Sequence, residues 1–222
     1  MYNAHWLVIA NAQPLFEDFW HDYLDGRKVC VCDGAYVAVK ESGIPVDVVI
    51  GDFDSIAVND LKDLSVSSRV KTVKVVDQSY TDLEKAIRYI DQLRPKSIVI
   101  VNAFANRIDH SLYNFRLLAR YHQPERELTI KTKDQQMLCL RDQSMTLSGK
   151  VGACVSVFGF SLSTLSSQGL YYDVTEHALG ITGIDSVSNS MAANTATVSI
   201  QGRAVAVCDA EVDLSIDAYS RE

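Results

Sequence analysis

Positive charge is in short supply in this chain. Its 21 Lys and Arg face 28 Asp and Glu, a formal net charge of −7. Non-specific nucleic-acid binding rests on neutralising phosphates with Lys and Arg, so that function is disfavoured. An acidic chain that handles anionic phosphates needs metal ions to offset its own charge. Long apolar runs are missing as well. The run at residues 6–10 is far too short for a signal peptide or a membrane span, and no basic region precedes it. The five cysteines (Cys30, Cys32, Cys139, Cys154 and Cys208) are an odd number without metal-finger spacing. Cys30 and Cys32 alternate within an apolar run and read as small core residues, and a reducing cytoplasm is the expected compartment. Neither a G-x-x-x-x-G-K-[ST] loop nor a G-x-G-x-x-G fingerprint occurs. Phosphate chemistry here must therefore rely on carboxylate-bound metal together with Arg and Lys.

What is present falls into two textures. With 222 residues, 47% apolar and 22% charged, the chain is long enough for a real core, as one large domain or two small ones. Short apolar runs at residues 6–10, 29–32, 46–50, 72–76 and 98–101 alternate with helix-like stretches at 15–24, 36–42 and 82–93. The runs are mostly continuous rather than alternating, as parallel strands covered on both faces require. The expectation is a doubly wound, mostly parallel α/β sheet over residues 1–126. After that the runs at 128–131, 137–140, 153–157, 195–200 and 204–207 are β-rich and separated by Gly, Ser and Asn. Gln201-Gly202-Arg203 reads as a hairpin turn. Residues 127–222 are expected to form an antiparallel β-sandwich or jelly roll.

The chemistry-bearing residues gather where the first-half strands end. Gly51-Asp52-Phe53-Asp54-Ser55 follows an apolar run. On an extended backbone two carboxylates spaced by two project to the same side, and holding them so close is costly unless a cation or protons neutralise them. The preceding glycine permits close approach to the main chain. The other runs end at Asn11, Asp33, Asp77 and Asn102, and in open α/β sheets the ligand crevice lies outside the carboxyl ends of the strands. Asp33-Gly34-Ala35 is either a plain strand-to-helix turn or part of that crevice. Thr81 with Glu84 matches a capping box, a helix start whose free N–H groups also suit phosphate, with Asp82 in the first turn and Lys85 one turn on. Arg107 and Asp109 are either an ordinary ion pair or a phosphate clamp beside a metal ligand or base, while His110 reads as a structural hydrogen-bonding residue. Several carboxylates without a Cys/His cluster favour a hard cation such as Mg²⁺.

In this order, Asp33-Gly34-Ala35, the GDFDS stretch, Asp77-Gln78 with Thr81-Asp82 and Lys85, and Arg107-Ile108-Asp109-His110 with Asn114 resemble the thiamine pyrophosphokinase family. In the second half, Gly169-Leu170 with Tyr172 and the pair Ser188-Asn189 are similar to its later motifs. The resemblance covers nearly the whole chain. It implies an α/β domain followed by a β-sandwich, a homodimer, and transfer of pyrophosphate from ATP to the hydroxyl of thiamine, with AMP released. By the same resemblance, Asp33, Asp52, Asp54 and Asp82 hold Mg²⁺ and the triphosphate. Thr81, Lys85 and Arg107 contact phosphates, Asn106 stands at the nucleotide, and Asp109 supports the metal or the attacking hydroxyl. Gln78, Ser188 and Asn189 line the thiamine pocket, near the subunit interface. Two features depart from the family. Ala105-Asn106 stands where the family usually has a glycine pair, and no aromatic closely follows Ser188-Asn189, with Trp6 and Trp20 both in the first half. A ring to stack on thiamine must come from elsewhere in the chain, with Tyr171, Tyr172 and Phe160 as candidates. The competing expectations are a pyrophosphokinase acting on a hydroxymethyl-pterin and a nucleotide-binding sensor with weakened catalysis.

Overall fold

Four of the five apolar runs of the first half become strands buried along most of their length, and the run at 71–74 forms an exposed one. In the computed structural model, which describes residues 3–12, 19–54, 56–57, 59–60, 62, 64 and 69–218, the chain divides into two compact units, Met1–Leu117 and Leu118–Glu222. The first contains His5–Ile9 (β1), Arg27–Cys32 (β2), Val48–Gly51 (β3), Lys71–Lys74 (β4) and Ser97–Val101 (β5). All pair in parallel, β1 with both β2 and β5, β2 with β3, and β3 with β4. The order is therefore β5-β1-β2-β3-β4. β3 and β5 are buried at every position, which is why their sequences run apolar without alternation. β4, at the end of this order, has Lys71 and Lys74 exposed, and lysines blunt an open edge. Because the strands are parallel, their carboxyl ends line up along one edge.

The α-helices that bear on the site are Tyr36–Glu41 (α1), Asp82–Asp91 (α2) and Ile108–Arg120 (α3), the last beginning in the first unit. α3 went unnoticed in the sequence, although its buried Asn114, Leu117 and Leu118 follow the i, i+3, i+4 spacing of a helix face. The helix expected at 15–24 contributes a 3₁₀ helix, Phe19–Tyr23, while residues 15–18 lie outside the described residues.

The second unit is antiparallel throughout its named strands, Glu127–Lys131 (β6) and His177–Leu179 (β10) among them. Its frame is a pair of long strands, Gln135–Ser148 (β7) and Thr195–Asp209 (β12), paired from Thr195↔Ser148 to Asp209↔Gln135. The expected hairpin turn at Gln201-Gly202-Arg203 is corrected here: it is a bulge inside β12. The runs on either side both pair with β7, so they continue one strand and cannot be each other's partners. At the bulge Gly202 has φ +85°, Asp142 on the facing strand has φ 49°, and the Asp142 carboxylate accepts from Gly202 N at 2.8 Å. A register break of this kind bends the ribbon. Its two halves take different neighbours, Cys154–Gly159 (β8) beside one and Ser163–Gln168 (β9) beside the other. Leu138, Leu140, Met145, Leu147, Val198, Ile200, Ala204 and Ala206 from both halves join one buried cluster.

The cysteines are all free thiols, and four of the five are buried. Among the described residues, no helix is long and apolar enough to cross a membrane.

Asn102, at the exit of β5, ties that strand to the exit of β1. It sits at φ 56°, and its Nδ2 donates to Ala10 O at 2.9 Å and Ala12 O at 2.8 Å. Asn102→Ala removes both bonds and places alanine in a conformation that asparagine tolerates better. The variant is expected to lose about 2 kcal/mol of stability, read as a lower urea midpoint with an unchanged slope.

Candidate active site

Asp33 is the organising side chain of the strand-exit edge. It follows β2, is 1% exposed, and accepts from Gly34 N and from Phe53 N, both at 2.7 Å. Its carboxyl lies so close to Gly51 that a Cβ there would stand 2.2 Å from Asp33 Cγ. The glycine before the acid pair is thus required by the neighbouring strand's carboxylate. Burial, and then the charge of Asp82, raise the Asp33 pKa, against the pull of its two backbone donors.

Asp52 and Asp54 do lie together, but through a turn rather than an extended backbone. β3 ends at Gly51, and Phe53 has φ 65°, a strained value for a bulky residue. Two contacts hold it: Phe53 N bonds Asp33, and its ring packs on the core of the first unit. At this bend Asp54 N donates to Asp52 Oδ1 at 3.3 Å. Ser55 lies outside the described residues. Asp33, Asp52 and Asp54 each offer one carboxylate oxygen within 4.8 Å of the others. A hydrogen bond from Gln78 Nε2 to Asp52 Oδ2, 2.7 Å, lowers the Asp52 pKa. A hydrogen bond with Asp52 and its charge raise that of Asp54. Three acids this close need a cation or a proton, and an all-oxygen donor set fits Mg²⁺, which accepts a few carboxylates and leaves positions for phosphate oxygens.

A cleft of about 700 Å³ opens beside Asp52. It is lined from the exits of β1 (Ala10 to Ala12) and β5 (Ala103, Ala105, Asn106) and from the first turns of α2 and α3. β5 and β1 are neighbours although far apart in sequence, and such a reversal of strand order is where open parallel sheets bind ligands. Thr81 caps α2, its Oγ1 accepting from Glu84 N at 3.3 Å. The helix therefore presents free N–H groups and a positive end to the cleft.

Asp82 stands at the cleft rather than in the three-acid group, and Lys85 Nζ donates to its Oδ1 at 2.9 Å. Burial opposes the Lys85 ammonium, yet the bond to Asp82 and the charges of Asp82, Asp52 and Asp33 outweigh it and raise its pKa. Arg107 and Asp109 form a bidentate pair, Nε to Oδ1 at 3.1 Å and Nη2 to Oδ2 at 2.5 Å. Both are exposed, and Arg107 lines the cleft. Asp77 has a turn role, accepting from Ser79 N. Neither Ala105 nor Asn106 has a positive φ, so the backbone places no demand for glycine there, and the Asn106 side chain is an added group at the cleft wall.

Ser188 and Asn189 belong to the second unit, on Ser186–Ser190 (β11). Asn189 is 4% exposed, accepts from Tyr172 N and Ser190 N, and donates to Tyr172 O at 2.9 Å. It clamps the turn that displays the exposed rings of Tyr171 and Tyr172. Ser188 is exposed at φ 57°. Tyr80, Ser111 and Tyr113, which sequence reasoning passed over, also line the cleft.

The hydrogen bond from Arg107, aided by its charge, lowers the Asp109 pKa to about 2. The ionised pair therefore persists through the ordinary carboxylate range and is lost only as pH falls toward that value. In an NMR titration the Asp109 carboxyl is expected to titrate near about 2, and to return to the usual range in Arg107→Ala.

Residues 20–130 match the family model described as the thiamin pyrophosphokinase catalytic domain. A search of curated protein sequences returned no match. Solved structures are similar over most of the chain. Thiamine pyrophosphokinase from Bacillus subtilis has a TM-score of 0.81 at 19% identity, covering 93% of this chain and 99% of that one. The enzyme from Candida albicans gives 0.80 at 19%, covering 93% and 89%, and the yeast enzyme 0.77 at 14%, covering 93% and 86%. At these identities the structures speak for the fold, while the family model spans half of the chain. The chain belongs to the thiamin pyrophosphokinase family.

Proposed function

We propose that this chain is a Mg²⁺-dependent thiamine pyrophosphokinase, moving the β,γ-pyrophosphate of ATP onto the hydroxyl of thiamine and releasing AMP. The observation that carries the reading is the gathering of Asp33, Asp52 and Asp54 at the strand-exit edge, with Asp52 also lining the cleft that Asp82 and Lys85 enter. Family membership supports ATP as co-substrate and thiamine as acceptor. Asp33, Asp52, Asp54 and Asp82 are assigned to Mg²⁺ and the triphosphate. Bound there, the cation supplies neutralisation of the charge that develops on the phosphates.

The side chains divide the remaining work. Lys85, Arg107 and the capped N-terminus at Thr81 receive phosphate oxygens and align the β-phosphorus with the attacking hydroxyl. Asn106 contacts the nucleotide. Asp109 holds the Arg107 guanidinium in a fixed plane, the arrangement seen in their bidentate pair. As the new P–O bond forms, the hydroxyl proton passes to a carboxylate of the cluster and AMP departs. Gln78, Ser188 and Asn189 are assigned to the acceptor pocket, near the interface of a homodimer. Exposed Tyr171, Tyr172, Val187, Ile181 and Ile184 in the second unit support an apolar contact there. We assign residues 1–126 to a doubly wound ATP-binding domain and 127–222 to a β-sandwich, a boundary drawn after α3 rather than within it at Leu117–Leu118, and the free thiols suit the cytoplasm.

Incubation with ATP, Mg²⁺ and thiamine is expected to yield AMP and thiamine diphosphate, followed by chromatography. AMP formed only with a hydroxymethyl-pterin overturns the acceptor. ATP binding with no AMP from either acceptor identifies a sensor instead.

Asp54→Asn is expected to lower kcat roughly a hundredfold or more with an unchanged circular-dichroism spectrum. Near-normal turnover in that variant would refute the metal role.

A further inference from the structure

Glu84 is the acid of the capping box, and such an acid ordinarily sits at the solvent-facing mouth of its helix. Here it is fully buried, at 0% exposure, and its carboxylate accepts a hydrogen bond from the hydroxyl of Tyr113. Burying a carboxylate is costly unless hydrogen bonds answer it, and a phenol donating to a carboxylate makes one of the stronger kind. An apolar side chain would fill an interior helix position at less cost. The pair is therefore explained by what it connects.

On one side is α2, where Glu84 lies between Asp82 and Lys85, both lining the cleft. On the other is α3, which begins directly after Arg107 and carries Asp109 in its first turn. Tyr113 itself lines the cleft, with Ala105, Asn106 and Ser111. The next residue, Asn114, is 6% exposed and donates from Nδ2 to Ala103 O at 2.8 Å, just past the end of β5. One turn of α3 is thus tied to α2 through Tyr113 and to the β5 exit through Asn114.

We propose that Glu84 is a positioning residue for the nucleotide: through Tyr113 it sets the separation of the two helices that present Asp82, Lys85 and Arg107, and so the width of the ATP cleft. This rests on the ATP-dependent reading above. A cleft held at its bound width spares the nucleotide the cost of ordering two helices on binding. The strut accordingly acts on nucleotide affinity, with the acceptor and the chemical step left largely to other groups.

The test is calorimetric titration of the full chain with ATP and Mg²⁺, joined to steady-state kinetics. Tyr113→Phe keeps the ring and removes the hydroxyl. It is expected to weaken ATP binding about tenfold, the loss of one hydrogen bond to a charged group, and to raise KM for ATP in step while kcat falls far less and the thiamine KM stays put. Glu84→Gln retains a carbonyl oxygen for the phenol and is expected to bind ATP close to the wild-type value, whereas Glu84→Leu behaves like Tyr113→Phe. Wild-type ATP affinity in Tyr113→Phe, even with a lower Tm, overturns the proposal. So does a change confined to the thiamine KM. Calorimetry reads ATP without turnover, so the outcome stands whether or not the chain forms AMP from thiamine.

Discussion

The contact on which the first unit depends is the packing of the Asp33 carboxylate between two strand exits. It fills the space above Gly51, where a Cβ would stand 2.2 Å from its Cγ, and binds Gly34 N and Phe53 N. Those two donors belong to different connections, one leaving β2 and one leaving β3. A single buried side chain thereby joins the turn that starts a helix to the turn that presents two more acids. Because the donors are main-chain groups, the geometry is set by backbone rather than by flexible side chains. Such a site is preorganised, and preorganisation is what electrostatic catalysis requires.

Around it the charges form a graded arrangement. Asp33 is buried and its ionised form is disfavoured, Asp52 is favoured by Gln78, and Asp54 is disfavoured by Asp52. Lys85, buried beside Asp82, supplies a fixed positive charge. The remaining imbalance is negative, in keeping with the chain's formal net charge of −7. Arg107, the other cation of the cleft, is held by Asp109 in the open, where solvent screens the pair.

Much of this was legible in residue order. Continuous apolar runs announced the parallel strands because burial on both faces leaves no polar face to alternate with; all five appear in the structure, four of them largely buried and β4 exposed. Thr81 and Glu84 announced the start of α2, since a helix end must satisfy its free N–H groups locally. Local rules failed where a distant partner decided the outcome. Gln201-Gly202-Arg203 has the composition of a turn, yet β7 pairs with both flanks and makes it a bulge. The acid pair reads as extended backbone, yet the chain bends at Phe53, which takes a positive φ where Asp33 and the core hold it. Glu84 reads as a capping acid, yet it is buried against a tyrosine far along the chain.

The sequence by itself determined the kinds of element, the line of polar residues at the strand ends, the oxygen-only donor set and the family resemblance, because these follow from local periodicity and from residue chemistry. Only the tertiary structure decided that β5 lies beside β1, that three acids converge while Asp82 pairs with Lys85, and that Arg107 and Asp109 hold each other. These are pairings between strands and side chains competing for the same partners. For β5 beside β1 and for Asp33 beside Asp52 and Asp54, the outcome is set by which strands pair, and spacing along the chain carries no record of it. The Asp82–Lys85 and Arg107–Asp109 pairs are local in spacing, and the structure decided only that they form.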